Sequence, residues 1–452
     1  MSLTALAFLG AYGLGLLSSF IVHPRWGLIT YIAVFYLHPP LRWWGVGLPD
    51  IRWSLVAAVV TLISLPQAKL PPHATPFTSI TLAKLLMVYV AWMWIQTAWA
   101  SPLHLEGVIL YTKYLVLFYL IYRLIIDEKT LLLFAIAHVL GCFYFGLLAL
   151  DARGVGRLEY IGGPGANDSN TLGMHVSTGL FFAGTLILTQ RRWIRWAVLL
   201  MVPVLANCIV QTESRGAFLG AAFGGLAFFY LAPKLYRKYI FTLGIISIFI
   251  LLAYAPAVYW ERMGTLSAVQ SEEVEIDRSS QSRLALVTEQ LNMFADYPFG
   301  LGFDTTTHLS RSYLDNQWLS ISRGSDGEII TGRSSHNTLL SVLVDQGIPG
   351  IIMALAMILV VLSLIRKFKK LDDQGLSREL GLYRAAIGAT LAAVLTSGMF
   401  TNYLKAEIQL WSLALLVAVY ELGKLRCAEK QAQAGTARDN PVPQASHLAP
   451  SR

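Results

Sequence analysis

Long apolar runs separated by short polar turns set the pattern of this chain. Leu3–Val22, Leu82–Trp99, Val108–Ile126, Leu131–Leu150, Leu172–Leu188, Ala197–Val210, Ala217–Leu231, Ile240–Tyr254, Gly350–Ile365, Ala385–Phe400 and Ile408–Leu422 reach or approach the roughly 20 helical residues that cross about 30 Å of hydrocarbon. The runs are continuous rather than alternating, so they read as helices and not as barrel strands. Trp26–Tyr36 and Ile51–Leu65 are shorter, and the turn-rich segment His38–Asp50 parts them, so together they read as a span and a half-span. The expected fold is an all-α polytopic membrane protein of about twelve transmembrane helices with one large, partly helical loop. Its expected parts are N-terminal transmembrane helices over 1–256, a loop domain over 257–336, C-terminal transmembrane helices over 337–426 and a disordered tail over 427–452, rich in Ala, Gln, Pro and Ser. Met1–Phe20 has no basic lead and further spans follow it, so it reads as a retained first helix rather than a cleaved signal.

Composition points the same way. Hydrophobic residues make up 55% of the chain and charged ones only 14%, where soluble domains run near a quarter charged. The net charge of +8 could suit nucleic acid, but the basic residues sit in short turns between spans, where topology and membrane lipids explain them. Four clusters stand out: Arg191, Arg192 and Arg195; Lys234, Arg237 and Lys238; Arg366, Lys367, Lys369 and Lys370; and Lys424, Arg426 and Lys430. Their spacing puts all four on one face, the cytoplasmic face by the positive-inside rule. A cytoplasmic N-terminus then favours twelve spans. Segments 157–170, 211–216 and 257–336 fall on the opposite, extracytoplasmic face. Cys142, Cys208 and Cys427 are scattered and give no disulfide or zinc pattern.

Every candidate for chemistry lies on that second face. Gly162–Asn170 is a glycine- and proline-rich turn whose Asn167, Asp168 and Asn170 either cap the next helix or wall a polar site. Thr212-Glu213-Ser214-Arg215-Gly216 joins two spans; Arg215 either snorkels to headgroups or, beside the exposed N–H groups of a helix start, binds phosphate. Arg278-Ser279-Ser280-Gln281-Ser282-Arg283 opens an amphipathic stretch with Leu284, Val287, Leu291 and Phe294 on one face. Ser279 or Ser280 can cap it, which puts Arg283 in the first turn, where a cation opposes the helix dipole, so Arg283 reads either as a solvated residue or as an anion ligand. Arg333-Ser334-Ser335-His336-Asn337 leads into the next span, and His336 is a cap or a general base suited to proton transfer near neutral pH. The loop 257–336 has six arginines and no lysine, and the guanidinium fork suits paired phosphate oxygens. No HExxH, Walker A, GxSxG or paired CxxC motif occurs. Asp372-Asp373, the nearest acidic pair, lies in a basic turn. The residues call for no cofactor and no metal on the active face.

These motifs, in this order, resemble the O-antigen ligase and polymerase superfamily of bacterial envelope glycosyltransferases, and the ligase type within it. Ser335-His336-Asn337-Thr338-Leu339 with Asp345-Gln346-Gly347-Ile348-Pro349-Gly350 is similar to that family's H-N-x-x-L and E-x-G-x-x-G signature. Arg283 with Asp296-Tyr297-Pro298-Phe299-Gly300-Leu301-Gly302 is similar to its R-x-x-x-W and H-P-x-x-G-x-G segment, with Val287 and Glu289 where an aromatic is common. Gly163–Asn170 and Ser214-Arg215-Gly216 match further signatures, and Tyr31–Gly45 resembles members associated with exosortase systems. The resemblance implies transfer of a glycan from undecaprenyl diphosphate to a sugar hydroxyl of the lipid A core. It implies that Arg215 and Arg283 grip the diphosphate and His336 deprotonates the acceptor, with Asn167, Asp168, Asn170, Arg278, Arg333 and Asn337 in support. Direct displacement would invert the anomeric centre without a metal. A polymerase or a protein O-oligosaccharyltransferase would share the donor half of the reaction. A transporter or flippase would carry charged or broken helices at mid-membrane, and these spans carry little charge there.

Overall fold

A computed structural model gives the fold over residues 1–68, 75–101, 103–152, 158–163, 165–254, 278–323 and 329–439. The helices are α1 (Leu3–Ile21), α2 (Arg25–Leu37), α3 (Trp53–Ser64), α4 (Thr81–Gln96), α5 (His104–Leu124), α6 (Glu128–Asp151), α7 (Ser169–Thr189), α8 (Arg192–Gln211), α9 (Arg215–Leu231) and α10 (Lys234–Tyr254). After the loop helices α11 (Arg278–Asp296) and α12 (Thr305–Tyr313) come a hairpin, α13 (Thr338–Lys370), α14 (Arg378–Ser397) and α15 (Ile408–Asp439). The hairpin pairs β1 (Ser320–Arg323) antiparallel with β2 (Ile329–Gly332), a small addition to an all-α fold. Among the described residues, eight helices are individually long and apolar enough to cross a membrane, and α3, α4 and α9 are shorter apolar helices. The chain is a polytopic membrane protein.

Burial separates centre from rim. The spans of α7 and α14 are 78% buried, against 22% for α1 and 17% for α8. The centre closes through glycine. Gly216, Gly220 and Gly224 recur every four residues along α9, so they share one face. A Cβ at Gly220 would come within 2.0 Å of Ser397 Oγ and 2.8 Å of the Ala393 carbonyl, and one at Gly224 within 2.9 Å of the Ala389 carbonyl. Where lipid gives no hydrophobic drive for helix association, small residues let backbones approach and gain dispersion contact.

The four basic clusters meet at one end of the bundle. Arg426 pairs with Glu128, Lys369 lies over Tyr230, and Arg237 donates to the Ala232 carbonyl. The other end holds the glycine-rich turns and the loop helices. The start of α1 lies at this motif end, contrary to the expectation of an N-terminus among the basic clusters. Tyr12 donates to the carbonyl of Trp53 at 2.9 Å, and Phe8 packs on Trp44. The reason is that α2 and α3 each run between the two ends as separate short helices, so the half-span reading undercounts by one. The tail expected to be disordered from residue 427 is instead helical to Asp439. Cys427 is buried against the Leu371 carbonyl and Lys430 reaches the Gly375 carbonyl, which carry α15 past its apolar run. Residues 440–452 of that tail lie outside the described residues.

Asp372, the acidic candidate of the basic turn, has a structural partner. Fully buried Arg384 forks onto it at 2.6 and 2.9 Å and also donates to the carbonyls of Leu231 and Phe368. One guanidinium thereby joins the ends of α9, α13 and α14. Arg384→Ala is expected to cost about 3 kcal/mol, seen as a lower thermal midpoint of the detergent-solubilised protein. An unchanged midpoint would mean that the fork adds nothing.

Candidate functional site

At the motif end, helices stop at different heights and their free backbone groups are taken up by side chains. Asp168 caps α7 by accepting from the N–H groups of Asn170 and Thr171, Ser214 caps α9 by accepting from Ala217, and Asn337 caps α13 by accepting from Leu339 and Leu340. His336 is therefore not the cap of the helix it precedes. It is half-buried in the strap between β2 and α13.

These caps are tied to one another. Ser214 Oγ donates to Asn170 Oδ1 at 2.8 Å, and the Tyr403 hydroxyl donates to the Asn170 carbonyl at 3.1 Å. The Tyr403 N–H donates to Thr338 Oγ1 at 3.0 Å, and the Thr338 N–H to the Gly398 carbonyl at 2.7 Å. Ser397 Oγ donates to the Gly216 carbonyl at 2.9 Å. Arg215 and His336, 121 positions apart, thus sit one residue from Gly216 and two from Thr338, which bond to the same short segment, 397–403. Gly165, with φ +80°, lies against Lys405 and Glu407, where a Cβ would come 3.1 Å from the Lys405 carbonyl.

The third motif joins through a residue that the sequence did not single out. Gln290 of α11 is buried and donates to Ser335 Oγ at 3.0 Å; Ser335 Oγ in turn donates to the Asn337 carbonyl. The inward face of α11 carries Leu286, Gln290 and Met293, while Leu284 and Leu291 are exposed. The expected face of Leu284, Val287, Leu291 and Phe294 is corrected accordingly. The polar joint at Gln290, with apolar residues three and four positions away, decides which side docks. Arg283 lies two turns before Gln290, and Arg278 begins the helix; the side chains of both lie outside the described residues. Residues 257–277 of the loop lie outside them too.

The two segments that carry the family likeness are docked on each other. Gly347 has φ +64°, and a Cβ there would lie 2.4 Å from Phe299 C and Pro298 O. The Gly302 N–H donates to the Asp345 carbonyl, and the Ile348 N–H to the Pro298 carbonyl. The buried Asp345 carboxylate accepts from the N–H groups of Asp304 and Thr306 at 3.0 and 3.2 Å, anchoring the start of α12. α4 and the turn after it clamp the same joint: Trp92 donates to the Gln346 carbonyl, Gln96 to that of Phe299 and Trp99 to that of Gly300. Arg333 is held through its N–H to Ser310 Oγ and through its guanidinium to the Trp318 carbonyl, and burial lowers its pKa from the ordinary value. Asn167 is exposed beside the knot. His38 lies against Gly163, and burial, then the nearby Arg42, hold it below the usual imidazole range.

Beneath the knot lies an apolar cavity of about 450 Å³. Thr338, Gly398 and Tyr403 form its motif-end lining; Val342, Met357 and Leu395 line its flank, and Tyr230 and Ile365 continue it toward the basic end. A polar, hydrogen-bonded rim over an aliphatic channel fits an amphiphile with a polar head and a long apolar tail. Sequence reading missed Gln290, Thr338 and Tyr403. The signal available for Tyr403 was its polar turn, Thr401-Asn402-Tyr403, between two spans on the motif face.

Comparison with known proteins places the central third of the chain. A family model described as O-antigen ligase matches residues 196–355, which include Arg215, Arg283 and His336. The match supports a membrane glycosyl-transferring enzyme of the ligase and polymerase type. No curated protein matches the chain. Gly347→Ala is expected to undock the 298–303 turn at a strain cost of about 1–3 kcal/mol. Faster trypsin cleavage within 278–336 would report it. Gly225→Ala, where an added methyl meets nothing within 4 Å, should leave the cleavage rate unchanged.

Proposed function

From the match of residues 196–355 to the O-antigen ligase family, we propose that this chain transfers a glycan from undecaprenyl diphosphate to a sugar hydroxyl of the lipid A core at the periplasmic face of the inner membrane. One observation carries the reading. Arg215 and His336 flank a single knot of hydrogen-bonded caps, and that knot closes one end of an apolar channel suited to a polyprenyl tail.

In the proposed reaction the acceptor oxygen attacks the anomeric carbon from the face opposite the diphosphate. The glycosidic C–O bond to phosphate breaks, its electron pair leaves with undecaprenyl diphosphate, and the configuration inverts. His336 takes the acceptor proton. Arg215, at the start of α9 where backbone N–H groups also point outward, and Arg283 hold the diphosphate as its charge grows. Arg278 and Arg333 add positive charge around that group, and the exposed amide of Asn167 borders the sugar. Asp168, Asn170 and Asn337 act at one remove, as the caps and ties that set Arg215 and His336 in place. Arginine supplies the charge stabilisation, so the transfer is metal-independent. The units 1–256 and 337–426 together line the tail channel, most of it from 337–426, and 257–336 serves as the head-binding loop.

Three experiments test this. Alkaline-phosphatase fusions within 257–336 are expected to be active and fusions at 191–195, 234–238 and 366–370 inactive; the reverse pattern overturns the orientation. In a gene-deletion strain, lipopolysaccharide should lose its ladder while lipid-linked polymer accumulates, and a single repeat left on the core would instead mean a polymerase. In the complemented strain His336→Ala is expected to lower turnover about 10²–10⁴-fold with donor binding intact. Arg215→Ala and Arg283→Ala should each weaken donor binding by about 1.5–3 kcal/mol, and lysine at either position should rescue only in part because it lacks the fork. Since Asn337 already caps α13, a near wild-type His336→Asn enzyme would remove the general-base role.

A further inference from the structure

Apart from the site above, one buried cluster of ligand-forming side chains lies where α2, α6 and α7 meet. His138 and Cys142 are four residues apart on α6, so they share a face, and His175 faces them from α7. One ligand atom from each lies within 4.8 Å of the other two, and all three residues are fully buried. Among the described residues this is the one His, Cys and carboxylate group with such spacing. Two glycines make the room. A Cβ at Gly179 would come 2.7 Å from Cys142 Sγ, and one at Gly141 would enter the Tyr36 ring.

The Tyr36 hydroxyl stands between the three ligands, 2.6 Å from His138 Nδ1, 2.8 Å from His175 Nε2 and 3.6 Å from Cys142 Sγ. The surrounding bonds fix the tautomers. Thr178 Oγ1 donates to the His175 carbonyl at 2.6 Å, so it accepts from His138 Nε2 at 3.0 Å. His138 Nδ1 therefore has its lone pair turned toward the centre and accepts from Tyr36, whose oxygen accepts from His175 Nε2. His138 already has the arrangement of a metal-bound imidazole, one nitrogen free for the ion and the other N–H anchored by a second residue. His175 is arranged the other way: its Nε2 carries the proton toward the centre, and its Nδ1 is buried with no hydrogen-bond partner, so that nitrogen takes the proton when Nε2 binds an ion.

We propose that His138, Cys142 and His175 form a binding site for a monovalent copper ion, and that the Tyr36 hydroxyl fills the ion's position in the metal-free chain. A thiolate with two imidazoles suits Cu(I) and Zn(II). Charge decides between Cu(I) and Zn(II). Binding Cu(I) replaces the Cys142 thiol proton, which leaves to solvent, and the His175 proton moves from Nε2 to Nδ1; the copper–thiolate unit is neutral and no electron is transferred. Zn(II) in the same set would leave a net positive charge on the donors themselves, among the Phe145, Phe182 and Trp411 rings and far from water; the Glu407 carboxylate behind Trp411 is already taken by Tyr31 and the indole N–H. Serine in place of Cys142 removes the thiolate with little change in volume. The site is independent of the transfer reaction.

The test uses the purified full-length chain in detergent, reduced and free of oxygen, loaded with Cu(I) against the competing chelator bicinchoninate. One copper per chain is expected in the wild type, and X-ray absorption at the copper edge should show one sulfur and two nitrogen neighbours without need of any variant. Cys142→Ser and His175→Ala, checked for monodispersity, should bind at least tenfold more weakly. Tyr36→Phe, which breaks the hydrogen-bond bridge and removes none of the three ligands, should keep one copper per chain. Absent copper in the wild type, full retention in Cys142→Ser, loss in Tyr36→Phe equal to that in the ligand variants, or retention of Zn(II) in preference to Cu(I) would each overturn the proposal.

Discussion

Close approach of α9 to α14 is the contact on which the motif end depends. Three glycines at four-residue spacing bring the two backbones together, and that contact fixes the height at which each helix ends. Gly216 and Ser397 can share a hydrogen bond only because the helices meet there. Gly398, one residue on, then receives the N–H of Thr338. In hydrocarbon a helix end left unpaired costs several kcal/mol, so terminal groups must find partners within the protein. Here they find the ends of neighbouring helices, and the residues beside those ends, Arg215 and His336, are placed as a result.

The membrane architecture was legible because hydropathy is a strong signal over twenty residues and a weak one over twelve. The long spans are where the pattern puts them. α2 and α3, with 13 and 12 residues, fall below what the pattern resolves, and the end at which the chain begins was misread with them. At the candidate site, the loops and caps were legible from glycine, proline and Asx chemistry. The ties between them were not. A bond from Ser214 to Asn170 or from Gln290 to Ser335 has no periodicity, and both partners look like ordinary polar residues in turns. The inward face of α11 was misjudged for a related reason: counting apolar residues favours Leu284 and Leu291, whereas one buried amide with a partner outweighs them. The same limit hid the His138, Cys142 and His175 group, whose members spread over 37 positions and two helices and look scattered along the chain.

Docking of the 298–303 turn onto the break at Gly347 shows how a loop becomes part of a membrane bundle. α13 is interrupted where Gly347 leaves helical geometry, and the groups freed there are covered by Pro298, Phe299 and the side chains of α4. Asp345, buried at the break, holds the start of α12. The exposed ion pair between Lys405 and Asp304 joins the same regions at 2.7 Å, but in water such a pair adds little. The buried amide and carboxylate contacts give the loop a fixed register against the spans.

The hydrogen-bonded knot also bears on how this protein can be divided. The segment that matches the O-antigen ligase family ends at residue 355, yet its polar end is completed from outside: Asn170 comes from before the match, and Ser397, Gly398 and Tyr403 from after it. Sequence similarity thus marks a portion of the chain that has no closed boundary in space. A chimera exchanging 196–355 alone between relatives would carry Arg215 and His336 without the groups that fix their spacing, so the unit that can be exchanged intact runs from the α7 turn to the start of α15.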